Sequence, residues 1–158
     1  KKIFLNQNAA TNDKNKSKIY IDRSEKDNNY QPQRLVSNED EVKEYLLKND
    51  FTSVRLHDIE FKEQVNLFKN ADCIVGLHGA GLANLVFCKP GTKIVELRSS
   101  NAGPVIENLA KKNNLNYNSI VVEAKQIEKF NFPIFYLNLV LVFECCLVDL
   151  DNYTYVTV

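Results

Sequence analysis

The sequence predicts an α/β fold, a doubly wound parallel sheet of the Rossmann-like kind with helices on both faces. Short apolar runs typical of buried parallel strands alternate along the chain with segments whose apolar residues recur at helical spacings. One apolar run, 73–75, passes through a glycine-rich turn directly into a second apolar segment. Strands that alternate with helices need right-handed crossovers, and ligands then bind at the carboxyl ends of the strands.

The first half of the chain predicts two strand–helix units. A strand at 18–22 is followed by a polar connection, and Asn38 with Glu41 forms a helix-start signature. The next strand is predicted at 51–56, with a helix from about residue 59. The apolar faces of the two helices are predicted to consist of Val42, Tyr45 and Leu46, and of Phe61, Val65 and Phe68.

The second half predicts three more strands and two more helices. The strands are expected at 73–75, 93–97 and 120–122, and the first of them is a continuous apolar run of the kind found in parallel sheets buried on both faces. A helix at 81–87 is apolar all round, which predicts that it is buried, and a further helix is expected around 105–110.

Length and charge limit the possible classes of protein. The chain has 158 residues, enough for one domain with a core, and its 20 basic and 20 acidic residues cancel, which argues against nucleic acid as a partner. It contains no methionine, so we expect a piece of a longer protein. The predicted divisions are a linker or remnant of a preceding half at 1–17, a ligand-binding α/β domain at 18–125, and a tail without a recognisable pattern at 126–158.

The apolar and cysteine content predicts core packing rather than membrane insertion or redox chemistry. The longest apolar stretch, 132–143, is shorter than the ~20 residues that a membrane-spanning helix needs. Cys73 and Cys88 lie in apolar contexts and are predicted to pack in the core, and the Cys145-Cys146 pair is predicted to fill a strand.

The glycine-rich turn between residues 76 and 81 is predicted to bind an anion. Gly76, Gly79 and Gly81 allow a ligand to approach the main chain, and a helix starting near Ala80 would direct its first N–H groups to the same place. His78 stands in the turn as a possible donor to a phosphate oxygen. The turn lacks the third glycine of the dinucleotide fingerprint and the Gly-Lys-Ser/Thr of a Walker loop, so NAD binding and ATPase chemistry are disfavoured.

Five segments of the chain, taken in order, carry a family resemblance. The central ones are Ala71-Asp-Cys-Ile-Val-Gly-Leu-His-Gly-Ala-Gly-Leu-Ala-Asn-Leu-Val-Phe87 and Pro90-Gly-Thr-Lys-Ile-Val-Glu-Leu97. Upstream of them lie Ile19-Tyr-Ile-Asp-Arg23, Arg34-Leu-Val-Ser-Asn-Glu39 and Phe61-Lys-Glu-Gln-Val65. Together, and in this order, the five segments resemble glycosyltransferase family 61. The resemblance covers roughly residues 18–122, whereas 101–104 and 130–158 depart from the family pattern.

The resemblance implies the donor-binding, C-terminal half of an inverting glycosyltransferase of GT-B architecture. The donor would be a nucleotide sugar, expected to be a UDP-sugar, and the acceptor a hydroxyl of a glycan, protein or lipid. The missing N-terminal half would be the partner that supplies the catalytic base, so no catalytic residue is assigned and this piece is expected to be inactive alone. No metal or other cofactor is expected. The compartment would be the cytoplasm in a bacterium, or the Golgi or endoplasmic reticulum lumen in a eukaryote.

Eight residues are predicted to bind the donor nucleotide. Arginine side chains would clamp the phosphates, the turn and its amides would cradle them, and a carboxylate would accept the ribose hydroxyls. The predicted residues are Arg23, Arg34, His78, Gly79, Ala80, Gly81, Asn84 and Glu96.

Each predicted ligand contact has a structural alternative. Arg23 could instead form a surface ion pair with Glu25 or Asp27, and Glu96 could pair with Arg98 or Arg55. Among the polar residues near the turn, His78 could act only as a packing or capping residue, Asn84 could bond within the fold, and Gln64 could brace the turn or lie in solvent.

Two other functions remain open at the level of the sequence. One is a non-catalytic nucleotide- or glycan-binding module, a degenerate transferase that binds without reacting. The other, less favoured, is an NAD-binding domain, because the fingerprint is incomplete.

Overall fold

A parallel sheet forms the centre of the described chain. The computed structural model describes residues 17–23, 35–36, 38–122, 124–125, 134–135 and 156–157. The strands are β1 (Lys18–Ile21), β2 (Leu35–Val36), β3 (Phe51–Val54), β4 (Cys73–Leu77), β5 (Lys93–Ser99), β6 (Asn116–Val122), β7 (Ala124–Lys125), β8 (Ile134–Phe135) and β9 (Val156–Thr157). The α-helices are α1 (Glu39–Lys48), α2 (Phe61–Asn70) and α3 (Val105–Lys112), and 3₁₀ segments span Leu56–Asp58 and Ala80–Phe87.

Six strands lie in the main sheet in the order β3-β1-β4-β5-β6-β9, and every neighbouring pair is parallel. The chain first adds β3 on one side of β1 and then crosses to add β4 on the other side, so the direction of winding reverses between β1 and β4. A smaller sheet has the order β2-β8-β7. The predicted α/β class with a Rossmann-like parallel sheet is therefore confirmed.

Most strand and helix predictions agree with the structure, with differences at the ends. The second predicted strand stops at Val54, because Leu56–Asp58 turns as a 3₁₀ segment. Strand β6 begins at Asn116, four residues before the predicted start. Its first half is polar and therefore carries no apolar signal, but its pairing with β5 holds it in the sheet. In the region predicted as a tail, β9 pairs with β6.

Alternate residues of the strands face two separate apolar clusters, one on each side of the sheet. The first cluster packs against α1 and contains Tyr20, Val42, Leu46, Phe51, Cys73, Val75, Leu77, Val95, Leu97 and Ile120. The second packs against α2, α3 and the 3₁₀ segment Ala80–Phe87, and contains Ile19, Ile21, Phe68, Ala71, Ile74, Leu82, Leu85, Cys88, Ile94, Ile106, Ala110 and Leu115. This two-sided burial is why the strands read as continuous apolar runs.

The buried cysteines agree with their predicted place in the core. Cys73 lies in the first cluster and Cys88 in the second. Burial raises the pKa of the Cys88 thiol to about 12, as expected for a thiol that packs as a small apolar group. Cys145 and Cys146 lie outside the described residues.

The segment after the glycine turn differs from its prediction. Residues 80–87 form a 3₁₀ helix rather than a wholly buried α-helix. With three residues per turn, positions i and i+3 lie on the same side, and Leu82 and Leu85 are accordingly the pair that is buried. Val86 is 47% exposed, so the prediction that this segment is buried all round is wrong.

A polar network fastens α1 to the end of β1. The Tyr20 hydroxyl donates to Glu39 Oε1 at 3.2 Å, and Lys43 Nζ lies 3.1 Å from Asp22 Oδ2. The Ser53 hydroxyl also donates to Asp22, at 3.4 Å. Burial raises the pKa of both Tyr20 and Glu39. These contacts hold the carboxyl end of β1 in place.

The start of α1 also departs in detail from its prediction. The helix does begin after Asn38, as the sequence predicts, but Asn38 makes no side-chain cap bond to the helix backbone. Its amide instead donates to Glu41 Oε2 at 3.3 Å. The pair Asn38 and Glu41 therefore predicts the correct start of the helix, although the two side chains bond to each other and Asn38 does not cap the backbone.

Gly76 is required by the close approach of the 3₁₀ helix to the sheet. A Cβ at this position would lie 3.1 Å from Leu82 Cδ2 and 3.3 Å from Ile21 Cδ1. We expect Gly76→Ala to lower the free energy of unfolding by about 1–3 kcal/mol, the usual range for overpacking a core.

The matched control is Gly103→Ala, since a Cβ there meets nothing within 4 Å. We expect the control to change the free energy of unfolding by no more than about 1 kcal/mol. Urea denaturation of both variants measures the difference, and equal stabilities would contradict the packing role of Gly76.

Candidate functional site

The candidate site lies at the carboxyl ends of β1 and β4, where the winding of the sheet reverses. In an open parallel sheet the loops on either side of such a point leave in opposite directions and form a crevice, which is where ligands bind. Arg23 follows β1, and His78 and Gly79 follow β4. Because Ile21 of β1 pairs with Gly76 of β4, the two strand ends are at the same level.

The backbone of His78 connects three neighbouring strands. Its N–H donates to the carbonyl of Leu97 in β5 at 2.8 Å. Its carbonyl accepts a hydrogen bond of 3.3 Å from Nη1 of the exposed Arg23 side chain. The predicted phosphate-binding arginine and histidine are therefore in contact, through a side chain from β1 and a carbonyl at the end of β4.

Gly79 supplies the backbone conformation that the turn needs. Its φ of 152° and ψ of −172° lie in a region that is essentially restricted to glycine. This conformation carries the chain from the end of β4 into the 3₁₀ helix at Ala80. The glycine predicted from the sequence to permit an unusual turn does so.

The His78 imidazole is held by a buried carboxylate. Nδ1 of His78 contacts Oε1 of Glu96, and Glu96 has no exposed surface. The hydroxyl of Tyr117, in β6, donates to the second oxygen, Oε2. Burial first, and then the bond to Glu96, raises the pKa of Tyr117, so the hydroxyl keeps its proton. The three side chains form a continuous chain of contacts on one face of the sheet.

The structure assigns Glu96 partners other than those considered from the sequence. The alternative reading placed it with Arg98 or Arg55, but Arg55 pairs with Asp58. Both carboxylate oxygens of Glu96 contact the protein, through His78 and Tyr117. Its predicted contact with a ribose would require one of these groups to move, and the ribose role stays a prediction.

Fewer backbone N–H groups at the start of the 3₁₀ helix can bind a ligand than the sequence predicts. The sequence predicts that the first N–H groups of this helix point to the ligand, but the Leu82 N–H donates to the Gly79 carbonyl at 3.0 Å. Ala80 and Gly81 lie before this first helical bond, where N–H groups have no partner within the helix. Gly81 is close to the neighbouring loop, since a Cβ there would lie 3.2 Å from Leu56 Cδ1.

Asn84 takes part in a structural bridge to α2. Its amide donates to Oε1 of Gln64 at 3.0 Å, and the Gln64 amide donates to the carbonyls of Leu56 at 2.9 Å and Ile59 at 3.3 Å. The structural alternatives considered for Asn84 and Gln64 therefore describe contacts that the fold makes. Any contact of Asn84 with a ligand stays a prediction.

The structure thus brings together Arg23, His78, Gly79 and Glu96, with Ala80 at the start of the adjoining helix. Arg34 lies outside the described residues, as do Glu25 and Asp27, the alternative partners of Arg23. Sequence reasoning missed Tyr117. Its strand was not predicted to begin before residue 120, and only the register with β5, in which Tyr117 pairs with Ile94, places it on the same face as Glu96.

The described part of the chain lacks two kinds of feature, a metal-binding cluster and a membrane-spanning helix. No group of three or more His, Cys, Asp and Glu side chains there is arranged to hold a metal ion. In the same residues, no helix is long and apolar enough to cross a membrane.

A family model and two curated relatives match parts of this chain. The model of the family described as Glycosyltransferase 61 matches residues 1–95, a range that includes the first strand and the glycine turn. The EGF domain-specific O-linked N-acetylglucosamine transferase of Drosophila melanogaster is 33% identical over 87 residues, which are 53% of this chain and 17% of that protein. Beta-1,2-xylosyltransferase RCN11 of Oryza sativa subsp. japonica is 43% identical over 42 residues, 27% of this chain and 8% of that protein.

These alignments extend over less than a fifth of each curated relative. Both relatives are named as transferases of a sugar, an N-acetylglucosamine in one and a xylose in the other. Because the family model covers more than half of the 158 residues, this chain belongs to glycosyltransferase family 61.

Proposed function

We propose that this chain binds the nucleotide-sugar donor of an inverting glycosyltransferase, with the diphosphate of a UDP-sugar at the carboxyl ends of β1 and β4. The observation that carries the proposal is the convergence of Arg23, His78 and the start of a 3₁₀ helix at the point where the sheet reverses its winding. These groups belong to a segment that matches the family model.

The chemistry of these groups suits a leaving diphosphate. Transfer of the sugar releases a nucleoside diphosphate, whose growing negative charge is stabilised by donors that are already in position. Arg23 can clamp phosphate oxygens in two-pronged fashion, and Ala80 and Gly81 add backbone N–H groups. Arg34 is proposed to complete the clamp. In this arrangement fixed cations and amides take the part that a divalent metal plays at other diphosphate sites, and no metal cofactor is proposed.

The remaining parts of the reaction are assigned to the rest of the protein. In-line attack by an acceptor hydroxyl needs a general base, and we propose that it comes from a second α/β half, as in a GT-B arrangement. The acceptor would be a hydroxyl of a glycan, protein or lipid. On this proposal the isolated chain binds donor nucleotide without transferring sugar.

The first prediction from this proposed function is that the chain binds UDP without added divalent metal. The expected reason is that arginine and backbone N–H groups supply the positive charge. Titration calorimetry with UDP in the presence of a chelator measures this. Binding that disappears in chelator and returns with manganese would show that the site needs a metal and would overturn the proposal as stated.

The second prediction concerns Arg23. Arg23→Ala should weaken UDP binding by about 1.5–3 kcal/mol, the range for hydrogen bonds to charged groups, and leave uridine binding almost unchanged. Arg23→Lys should recover only part of the loss, because an ammonium cannot reproduce a planar two-pronged contact. Calorimetry at one fixed ionic strength compares the variants.

The control for Arg23 is Lys48→Ala. Lys48 is an exposed cation at the end of α1, paired with Glu44. It lies near the amino ends of the strands, away from the site, since the carbonyl of the neighbouring Asn49 accepts a hydrogen bond from Lys18 Nζ at the start of β1. UDP affinity should not change in this variant. Equal losses of UDP and uridine in Arg23→Ala would place Arg23 at the nucleoside and contradict the phosphate clamp.

The third prediction tests the turn itself. Gly79→Val should abolish UDP binding while the domain stays folded, because valine resists the backbone conformation of Gly79 and would obstruct a diphosphate. Gly91→Val is the matched control. Gly91 also has a positive φ, of 84°, but it lies in the turn before β5, at the amino ends of the strands and away from the site.

Both glycine variants should lose stability from backbone strain, about 1–3 kcal/mol each, and only the Gly79 variant should lose UDP. Circular dichroism and calorimetry together separate the two effects. A Gly79→Val protein with normal affinity would exclude the turn from the site.

A further inference from the structure

Glu96 occupies a position at which a carboxylate needs an explanation. It lies in the middle of β5, has no exposed surface, and shares its face of the sheet with Ile94 of the second apolar cluster. Removing a carboxylate from water is costly, and a buried ion pair is often no more stabilising than apolar residues of the same volume. Stability alone therefore does not explain why a carboxylate is buried here, and we look for its role in the contacts that Glu96 makes within the site.

The partners of Glu96 determine what each of its two oxygens accepts. The Tyr117 hydroxyl retains its proton, since burial and the contact with Glu96 raise its pKa, and it donates to Oε2. Arg98 and Ser119 act on the pKa of this hydroxyl in the opposite direction, but burial and Glu96 outweigh them. A carboxylate that receives a proton donor on Oε2 remains a strong acceptor at Oε1, the oxygen that faces His78 Nδ1.

The arrangement therefore fixes one form of the His78 ring. When the acceptor at Nδ1 is a carboxylate, Nδ1 carries the proton, and in the neutral ring Nε2 is then an acceptor. A second partner that sets the tautomer and orientation of a histidine is a recurring means of preparing it to bind a ligand. The backbone bonds of His78 to Leu97 and Arg23 fix the rest of the residue.

We propose that Glu96 and Tyr117 are positioning residues that keep a proton on Nδ1 of His78 and so make Nε2 the ring nitrogen that contacts the ligand, donating to a diphosphate oxygen when the ring is protonated. Tyr117 acts through Glu96, and Glu96 acts through His78. The proposal rests on the proposed function for its ligand, and it assigns Glu96 a role other than ribose binding.

Histidine side-chain NMR tests the tautomer without any nucleotide. The chain has two histidines, and His57 is an internal reference whose Nε2 lies 3.1 Å from Asp58 Oδ1 on the surface. We therefore expect opposite tautomers in the two rings, Nδ1–H at His78 and Nε2–H at His57, because in each ring that nitrogen is the one beside a carboxylate oxygen. Spectra of ¹⁵N-histidine-labelled protein, recorded at a pH where the rings are neutral, distinguish them, and His57→Gln assigns the signals.

In Glu96→Gln the side-chain amide can either accept from or donate to Nδ1, so His78 should lose its single tautomer. UDP affinity should fall by about tenfold or more, as expected when a bond to a charged group is lost. Tyr117→Phe keeps the ring but removes the hydroxyl, so the tautomer should persist and affinity should fall about three- to tenfold. Circular dichroism verifies that both variants are folded.

Tyr20→Phe is the matched control for the loss of a tyrosine hydroxyl. Tyr20 also donates to a glutamate, Glu39, but on the opposite face of the sheet. UDP affinity should be unchanged in this variant. An equal loss of affinity in Tyr20→Phe and Tyr117→Phe would show that both hydroxyls act on the fold in general, and would contradict a positioning role for Tyr117.

The outcomes separate this inference from the proposed function. An Nε2–H tautomer at His78 in the unmodified protein, or an unchanged tautomer in Glu96→Gln, would overturn the positioning role whatever UDP does. If His78 has the Nδ1–H form, Glu96→Gln disturbs it, and the unmodified protein binds no UDP, the positioning of His78 stands and the proposed ligand is wrong.

Discussion

The contact between His78 and the buried carboxylate of Glu96 is the constraint on which the rest of the site depends. A carboxylate with no exposed surface has to be satisfied by donors, and the fold provides one from the turn after β4 and one, Tyr117, from β6. Together with the backbone bonds of His78 to Leu97 and Arg23, this contact connects four neighbouring strands. The position of the turn is thus determined by the sheet as a whole rather than by the glycines alone.

Close packing on the face of the sheet that carries Glu96 sets the path of the chain beyond the turn. Gly76 lets the 3₁₀ helix approach β4 and β1, and Leu82 and Leu85 cover the sheet where the helix crosses it. The bridge from Asn84 through Gln64 then attaches the helix to α2 and its preceding loop. The first N–H groups of the helix are consequently held in fixed positions. Dipoles that are fixed in this way can stabilise a developing charge without reorganising.

Membership of glycosyltransferase family 61 fits this arrangement without specifying its substrates. The two curated relatives are named for different sugars, and each is matched over a small part of its length. The part that this chain shares with the family model includes Arg23 and the glycine turn. Diphosphate recognition can be common to donors that differ in their sugar, because it depends on charge and backbone geometry rather than on the shape of the transferred group.

The sequence by itself determined the class of fold, the order of its elements, and the glycine turn with His78, because apolar periodicity and glycine conformational preferences are local properties of the chain. Only the tertiary structure decided that Tyr117 and Glu96 share a face, since that depends on the register between β5 and β6. It also decided that residues 80–87 form a 3₁₀ helix, because the space between α2, α3 and the sheet selects which leucines are buried. Local patterns cannot specify register or packing distance, since both arise from contacts between residues far apart in the chain.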